Sequence, residues 1–267
     1  MIIDAVLSFS RELKIRNEHL FYFGIFCFIV SIACIILTQT TTTKVHGINA
    51  WYKPFKFAVS IGMYSWTMAW LCHYLHNFNS NLFSWTVILL LGFELIYIAF
   101  QASRGELSHF NFNAPIYTLM YSLMGIAAVL TTIYTAYIGL LFFTQSFPNL
   151  PSYYLWAIRL GIIIFVIFSF EGALMSGRAS HSVGAINDNS NLLIVGWSKT
   201  VGDLRVAHFI GMHALQILPL LSFYIFKNIK TTIFIAVLYG LLATSTLVQA
   251  LNGKPVISQE KQQMNKE

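Results

Sequence analysis

A charged side chain inside an apolar run is expensive, so each one there needs a reason. Glu94 lies inside such a run, and Tyr97, Gln101 and Arg104 follow it at steps of three, four and three residues. A helix places all four on one stripe. Glu171 and Arg178, seven residues apart, repeat the design on a second run, with His181 shortly after. A third polar segment opens with Gly202-Asp203-Leu204-Arg205, where Asp203 suits a helix N-cap, and carries His208, His213 and Gln216 into the next apolar run. His208 and His213 are five residues apart, about 140° around a helix axis, so the two alone do not chelate one metal. His213 and Gln216 share a face. His46, Lys53, Lys56 and His109 stand at the ends of other apolar runs.

Imidazoles with carboxylates form the ligand set of zinc or non-haem iron. The available donors are Glu94, Glu171, His109, His181, His208 and His213. A bis-histidine haem needs two histidines at similar depth, and only His213 is clearly deep. The basic residues suit an anionic or lipid-like substrate. The resulting expectation assigns catalysis to Glu94, Arg104, Glu171 and Arg178, and substrate binding to Gln101, Lys53, Lys56, Arg205 and Gln216. Metal ligation falls to His109, His208 and His213, around zinc, iron or haem. Plainer roles stand beside these. Glu94 with Arg104, and Glu171 with Arg178, could pair only to orient helices, and His73 and His76 fit interfacial positions. His46 and His181 fit solvated loops, and Asp203 fits a simple cap. Lys53-Pro54-Phe55-Lys56 reads as two snorkelling lysines around a proline in a first helical turn.

The elements that must position these groups follow from composition. Of 267 residues 57% are hydrophobic and 10% charged, against roughly 25% charged in a soluble domain, and the mean hydropathy is +0.66. Long, continuously apolar runs without a two-residue alternation predict helices rather than barrel strands. The expected fold is an all-α polytopic transmembrane bundle over residues 1–251, with about seven spans near 20–38, 56–76, 83–102, 116–143, 154–175, 206–226 and 231–250. Residues 252–267 read as a polar, disordered tail. The segment 176–202, rich in glycine and asparagine, is long enough to be a functional loop. The first run lacks a basic start and a cleavage site and is expected to remain as a helix.

With seven spans, alternate loops share a side. The N-terminus and the 77–82, 144–153 and 227–230 connections define side A. Side B collects Lys44, Lys53, Lys56, Arg104, Arg178, Lys199, Arg205 and three tail lysines, which the positive-inside rule places in the cytoplasm. The net charge of +6 forms no basic run, so lipid headgroups rather than nucleic acid are the expected counter-charge. Cys27, Cys34 and Cys72 sit in apolar runs without metal spacing and read as packing residues.

The phrases Asn49-Ala50-Trp51-Tyr52-Lys53-Pro54-Phe55-Lys56-Phe57, Gln101-Ala102-Ser103-Arg104-Gly105 with Ser108-His109-Phe110-Asn111, and Gly202-Asp203-Leu204-Arg205 through His208 to Gln216 resemble an uncharacterised group of bacterial multi-pass membrane proteins. The resemblance covers about the middle two thirds of the chain. It implies a bacterial inner-membrane location and carries no activity. The sequence has no HExxH, no phosphate loop and no lysine in the seventh span for a retinal Schiff base. Side B holds the carboxylates and most of the imidazoles, which points to a cup open on one side. A membrane enzyme or redox protein fits that polarity. The alternatives are a proton-coupled transporter or channel for a small anion or acid, with Glu94 or Glu171 binding the proton, and an accessory membrane subunit whose polar stripes bind other helices.

Overall fold

The computed structural model describes residues 2–184, 191–192 and 194–257. Among these residues eight α-helices run in chain order: α1 (Ile2–Arg16), α2 (Glu18–Thr40), α3 (Tyr52–Cys72), α4 (Ser80–Ser103), α5 (Pro115–Thr144), α6 (Ser152–Gly177), α7 (Leu204–Leu221) and α8 (Ile229–Leu251). Two short antiparallel ribbons join them. One pairs β1 (Lys44–Val45) with β2 (Ile48–Asn49), and the other pairs β3 (Ser182–Val183) with β4 (Gly202–Asp203). The expected tail is described only to residue 257.

Among the described residues six helices are long and apolar enough to cross a bilayer: α2, α4, α5, α6, α7 with its extension to Phe226, and α8. Their outer faces carry exposed aliphatic side chains such as Ile29, Leu89, Leu140, Ile167 and Leu241, as lipid contact requires. Helix α3 is the seventh, 21 residues long and less apolar. Its place explains its composition. It packs against α1, α2, α4 and α7, while Tyr64 bonds Thr135 of α5 at 2.7 Å and stacks on Phe165 of α6 at 5.7 Å. A helix enclosed by others needs no lipid-facing skin. The protein is therefore an all-α, multi-pass membrane bundle.

The alternation of sides is visible where loops touch. On side A, Gln145 exchanges two hydrogen bonds with the His76 backbone, and Ser222 Oγ donates to the Tyr153 carbonyl. On side B, Lys56 Nζ donates to the Val195 carbonyl at 2.8 Å, and Gly202 lies against the backbone of Ala250. A Cβ at residue 202 would fall 1.9 Å from the Ala250 oxygen, so only glycine lets β4 meet the end of α8.

Two features depart from the sequence reading. Helix α1 precedes the first expected span. Asn17 divides it from α2 by accepting from Leu20 N at 2.9 Å as an N-cap, and its amide donates to Ser80 Oγ and Ser84 Oγ of α4. Helix α7 also changes winding before its end. Pro219 offers no N–H and crowds the preceding turn, and residues Ser222–Phe226 follow as a π turn.

The apolar core is asymmetric. Phe83, Phe142, Leu13, Leu20 and Leu71 are fully buried in the side A half, where Phe83 meets Tyr134 at 4.9 Å and Phe142 meets Phe147 at 5.0 Å. The buried acids Glu94, Glu171 and Asp203 lie in the side B half.

Candidate functional site

Asp203 organises the side B mouth. Its position ends β4 and begins α7, and its side chain accepts from Arg205 N at 3.1 Å and Ser198 N at 3.0 Å. The Arg205 guanidinium grips the same carboxylate with Nε to Oδ1 at 2.9 Å and Nη2 to Oδ2 at 2.6 Å, the forked geometry that suits arginine. Arg205 Nη2 also donates to the Gly196 carbonyl. Burial alone raises the Asp203 pKa, but Arg205, His181 and the Ser198 N–H bring it below the ordinary 3.8. Asp203 is thus more than a cap, because it fixes Arg205 and the 196–198 backbone together.

Lys53 and Lys56 of α3 stand near Arg205 at the same mouth. Lys56, one turn into α3, spends a bond on the Val195 carbonyl. Gly196 holds a positive φ of 70°, and a Cβ there would lie 3.6 Å from Lys56 Nζ and 3.8 Å from Arg205 Nη1. Both cations therefore approach the Gly196 backbone. Lys53, a turn above Lys56, is half-buried and has no hydrogen bond or ion pair among the described residues. His181 brings Nδ1 to 3.7 Å from Asp203 Oδ1. Its pKa is nevertheless pushed down to about 4, first by burial and then by Arg205, with Lys53 and Lys56 adding to the effect and Asp203 opposing it. Positive charge prevails at this mouth.

His109 borders the same region. Its imidazole packs beside Phe57 of α3 at 5.7 Å and Tyr121 of α5 at 5.8 Å, and Ser108 Oγ lies 3.2 Å from its Nδ1. Burial, then the Lys53 charge, hold its pKa well below the ordinary value.

One helical turn below Arg205, His208 turns Nδ1 to Glu171 Oε2 at 3.3 Å. Positions 205 and 208 share a face of α7, so the pair lies beneath the basic mouth. Gly172 makes room for the ring, since a Cβ there would stand 3.2 Å from His208 Cε1. Neither Glu171 oxygen has a hydrogen-bond partner among the described residues.

The α4 stripe is a separate arrangement. Gln101 donates to Tyr97 OH and to the Leu107 carbonyl, both at 3.1 Å, while its own oxygen and Glu94 Oε1 are buried and have no hydrogen-bond partner among the described residues. Among the described residues neither Glu94 with Arg104 nor Glu171 with Arg178 forms an ion pair. Arg104 instead reaches Tyr117 OH at 3.2 Å, and Arg178 is exposed at the end of α6. His213 packs on Phe209 at 4.3 Å and lies 3.4 Å from Gln216 Oε1.

The three proposed metal ligands therefore occupy three settings. His109 is among aromatics, His208 faces Glu171, and His213 faces Gln216. Among the described residues no three His, Cys, Asp or Glu side chains are grouped to hold a metal ion. Sequence reasoning gave no part to the 195–198 backbone, whose carbonyls receive Lys56 and Arg205. Gly196 was the available signal, as a glycine inside a long polar loop.

Fold and site together define a multi-pass integral membrane helix bundle with a basic, carboxylate-anchored mouth on one side. No known protein family, curated protein or solved structure matches this chain.

Proposed function

We propose that this membrane protein binds a small anionic or acidic, lipid-like substrate in a cup entered from side B. The observation that carries the reading is that Lys53, Lys56 and Arg205 stand close enough to feel one another's charge, while the one carboxylate beside them, Asp203, is already held by Arg205 and the Ser198 N–H. A half-buried ammonium such as Lys53, which has no partner among the described residues, is stabilised by an anion brought from solution. The Glu171–His208 pair beneath supplies a carboxylate-oriented imidazole within reach of such a ligand. A three-ligand metal centre is not part of this reading, because the described side chains do not assemble one. With the positive-inside rule, side B would face the cytoplasm of a bacterial inner membrane.

The test is ligand-induced stabilisation of purified protein in detergent, with inorganic phosphate, succinate and glycerol phosphate as probes. At least one should raise the melting midpoint, and K53Q and R205Q should each weaken that ligand by about tenfold, the equivalent of 1.4 kcal/mol. If none of the three anions moves the midpoint, the cup does not bind anions and the reading is lost.

A second reading, proton-coupled transport of a small acid, is favoured by Glu94, whose Oε1 is buried without a partner. The aromatic packing of the side A half, Phe83 on Tyr134 and Phe142 on Phe147, supports a closed cup over an open conduit. Uptake of a labelled acid into proteoliposomes, abolished in E94Q, would select transport.

A further inference from the structure

Arg159 lies on α6 seven residues past Ser152, about 10 Å along the axis from the side A end at 1.5 Å per residue. Such depth demands a partner for a guanidinium. Among the described residues no carboxylate supplies one. The described acids of side A are Asp4, Glu12 and Glu18; Glu12 pairs with Arg16 and Glu18 with Lys14, and no acid occurs between Glu106 and Glu171.

The side chain is held in place all the same. Its Nε donates to the Phe142 carbonyl at 2.9 Å, and its guanidinium lies 5.0 Å from the Phe143 ring and 5.3 Å from the Trp156 ring. These contacts orient the head and leave its two terminal amino groups without a hydrogen bond among the described residues. Beside it, a recess of about 520 Å³ opens between the ends of α5 and α6, lined by Thr144, Ser146, Phe147, Ser152, Leu155 and Arg159 among others. Hydroxyls and one guanidinium, with no acid, form a lining suited to a phosphate.

The surroundings select the source of that phosphate. Below the recess, Leu140 of α5 and Ile163 and Ile167 of α6 are exposed toward lipid, so an acyl chain can follow the same groove from which a headgroup rises. Long basic side chains reach headgroup level from such depths by snorkelling. We propose that the α5–α6 recess on side A is a binding site for one anionic phospholipid, with its phosphate on Arg159 and its acyl chains along α5 and α6. The site lies on the membrane side opposite the cup and does not depend on it.

Native mass spectrometry of the full chain, released from micelles doped with phosphatidylglycerol or phosphatidylcholine, tests the proposal. The expected result is one retained phosphatidylglycerol, preferred over phosphatidylcholine, with retention falling about tenfold in R159Q and partly kept in R159K. Equal retention by wild type and R159Q overturns the site. So does equal retention of the two lipids by wild type, a result that stands even if R159Q fails to fold. Binding of inorganic phosphate that depends on Arg159 and displaces the lipid would show a soluble-anion site instead.

Discussion

His208 of α7 and Glu171 of α6 meet at 3.3 Å, and this is the sole polar contact that the Glu171 carboxylate makes among the described residues. The two side chains face each other where α6 meets α7, the helix that also carries Arg205. Their contact exists because α6 and α7 approach closely: a Cβ on Gly161 would stand 2.9 Å from the Ala214 carbonyl, and one on Gly211 would strike the Phe168 side chain. Small residues at such crossings are how membrane helices come near enough for side chains to pair.

If the pair acts as a unit, E171Q and H208Q should each lower the melting midpoint in detergent, and the double variant should lose less than their sum. A double-mutant cycle is expected to give a coupling of about 0.5–3 kcal/mol. Strict additivity would mean that the imidazole and the carboxylate ignore each other.

The β4–α8 contact predicts a contrast between two glycines. G202A drives a methyl group into the Ala250 carbonyl, backbone against backbone, and should cost about 1–3 kcal/mol. G125A, in the middle of α5 with nothing within 4 Å of the new Cβ, should be neutral or stabilise by up to about 1 kcal/mol. Both are read from unfolding midpoints; equal behaviour would place α8 elsewhere.

His181 predicts a pH dependence. The folded imidazole stays neutral down to about 4, whereas the unfolded one takes its proton near the ordinary 6.5. Between those values the unfolded chain holds more protons, so stability is lost as pH falls from 6.5 toward 4. Asp203, whose pKa is depressed, loses its contribution only as pH falls below its ordinary 3.8. Unfolding midpoints of H181N measured from pH 7 to pH 4 should show a flatter slope than wild type, and an unchanged slope would assign the effect to other groups.

Asn17 predicts a separation of two roles. N17A removes both the cap on α2 and the bridge to Ser80 and Ser84, and should cost about 1–2 kcal/mol. N17D keeps an acceptor for Leu20 N but loses the amide donors, so it should fall between wild type and N17A. A midpoint for N17D as low as that of N17A would put the whole effect in the bridge.

The bundle itself was legible in the sequence. Twenty-residue apolar runs have few fates, since the backbone must satisfy itself when no water is present. Each expected span overlaps a helix of the structure, although 56–76 runs four residues past the end of α3 at Cys72, and the loops meet by sides. Helix α1 was missed because its mixed Arg11-Glu12-Leu13-Lys14 pattern lacks the continuous apolarity that marks a span. Periodicity along one helix set Glu94, Tyr97, Gln101 and Arg104 on a stripe, and in the structure Gln101 bonds Tyr97 while Arg104 turns to Tyr117.

Partnership was decided only by tertiary structure. Spacing offered Arg178 to Glu171, but the crossing of α6 and α7 delivered His208, and the 195–198 backbone, invisible to any motif, received Lys56 and Arg205. A helix fixes which of its own residues share a face. Which face meets which neighbour depends on packing between segments far apart in the chain, and in this protein on glycines that let two backbones touch.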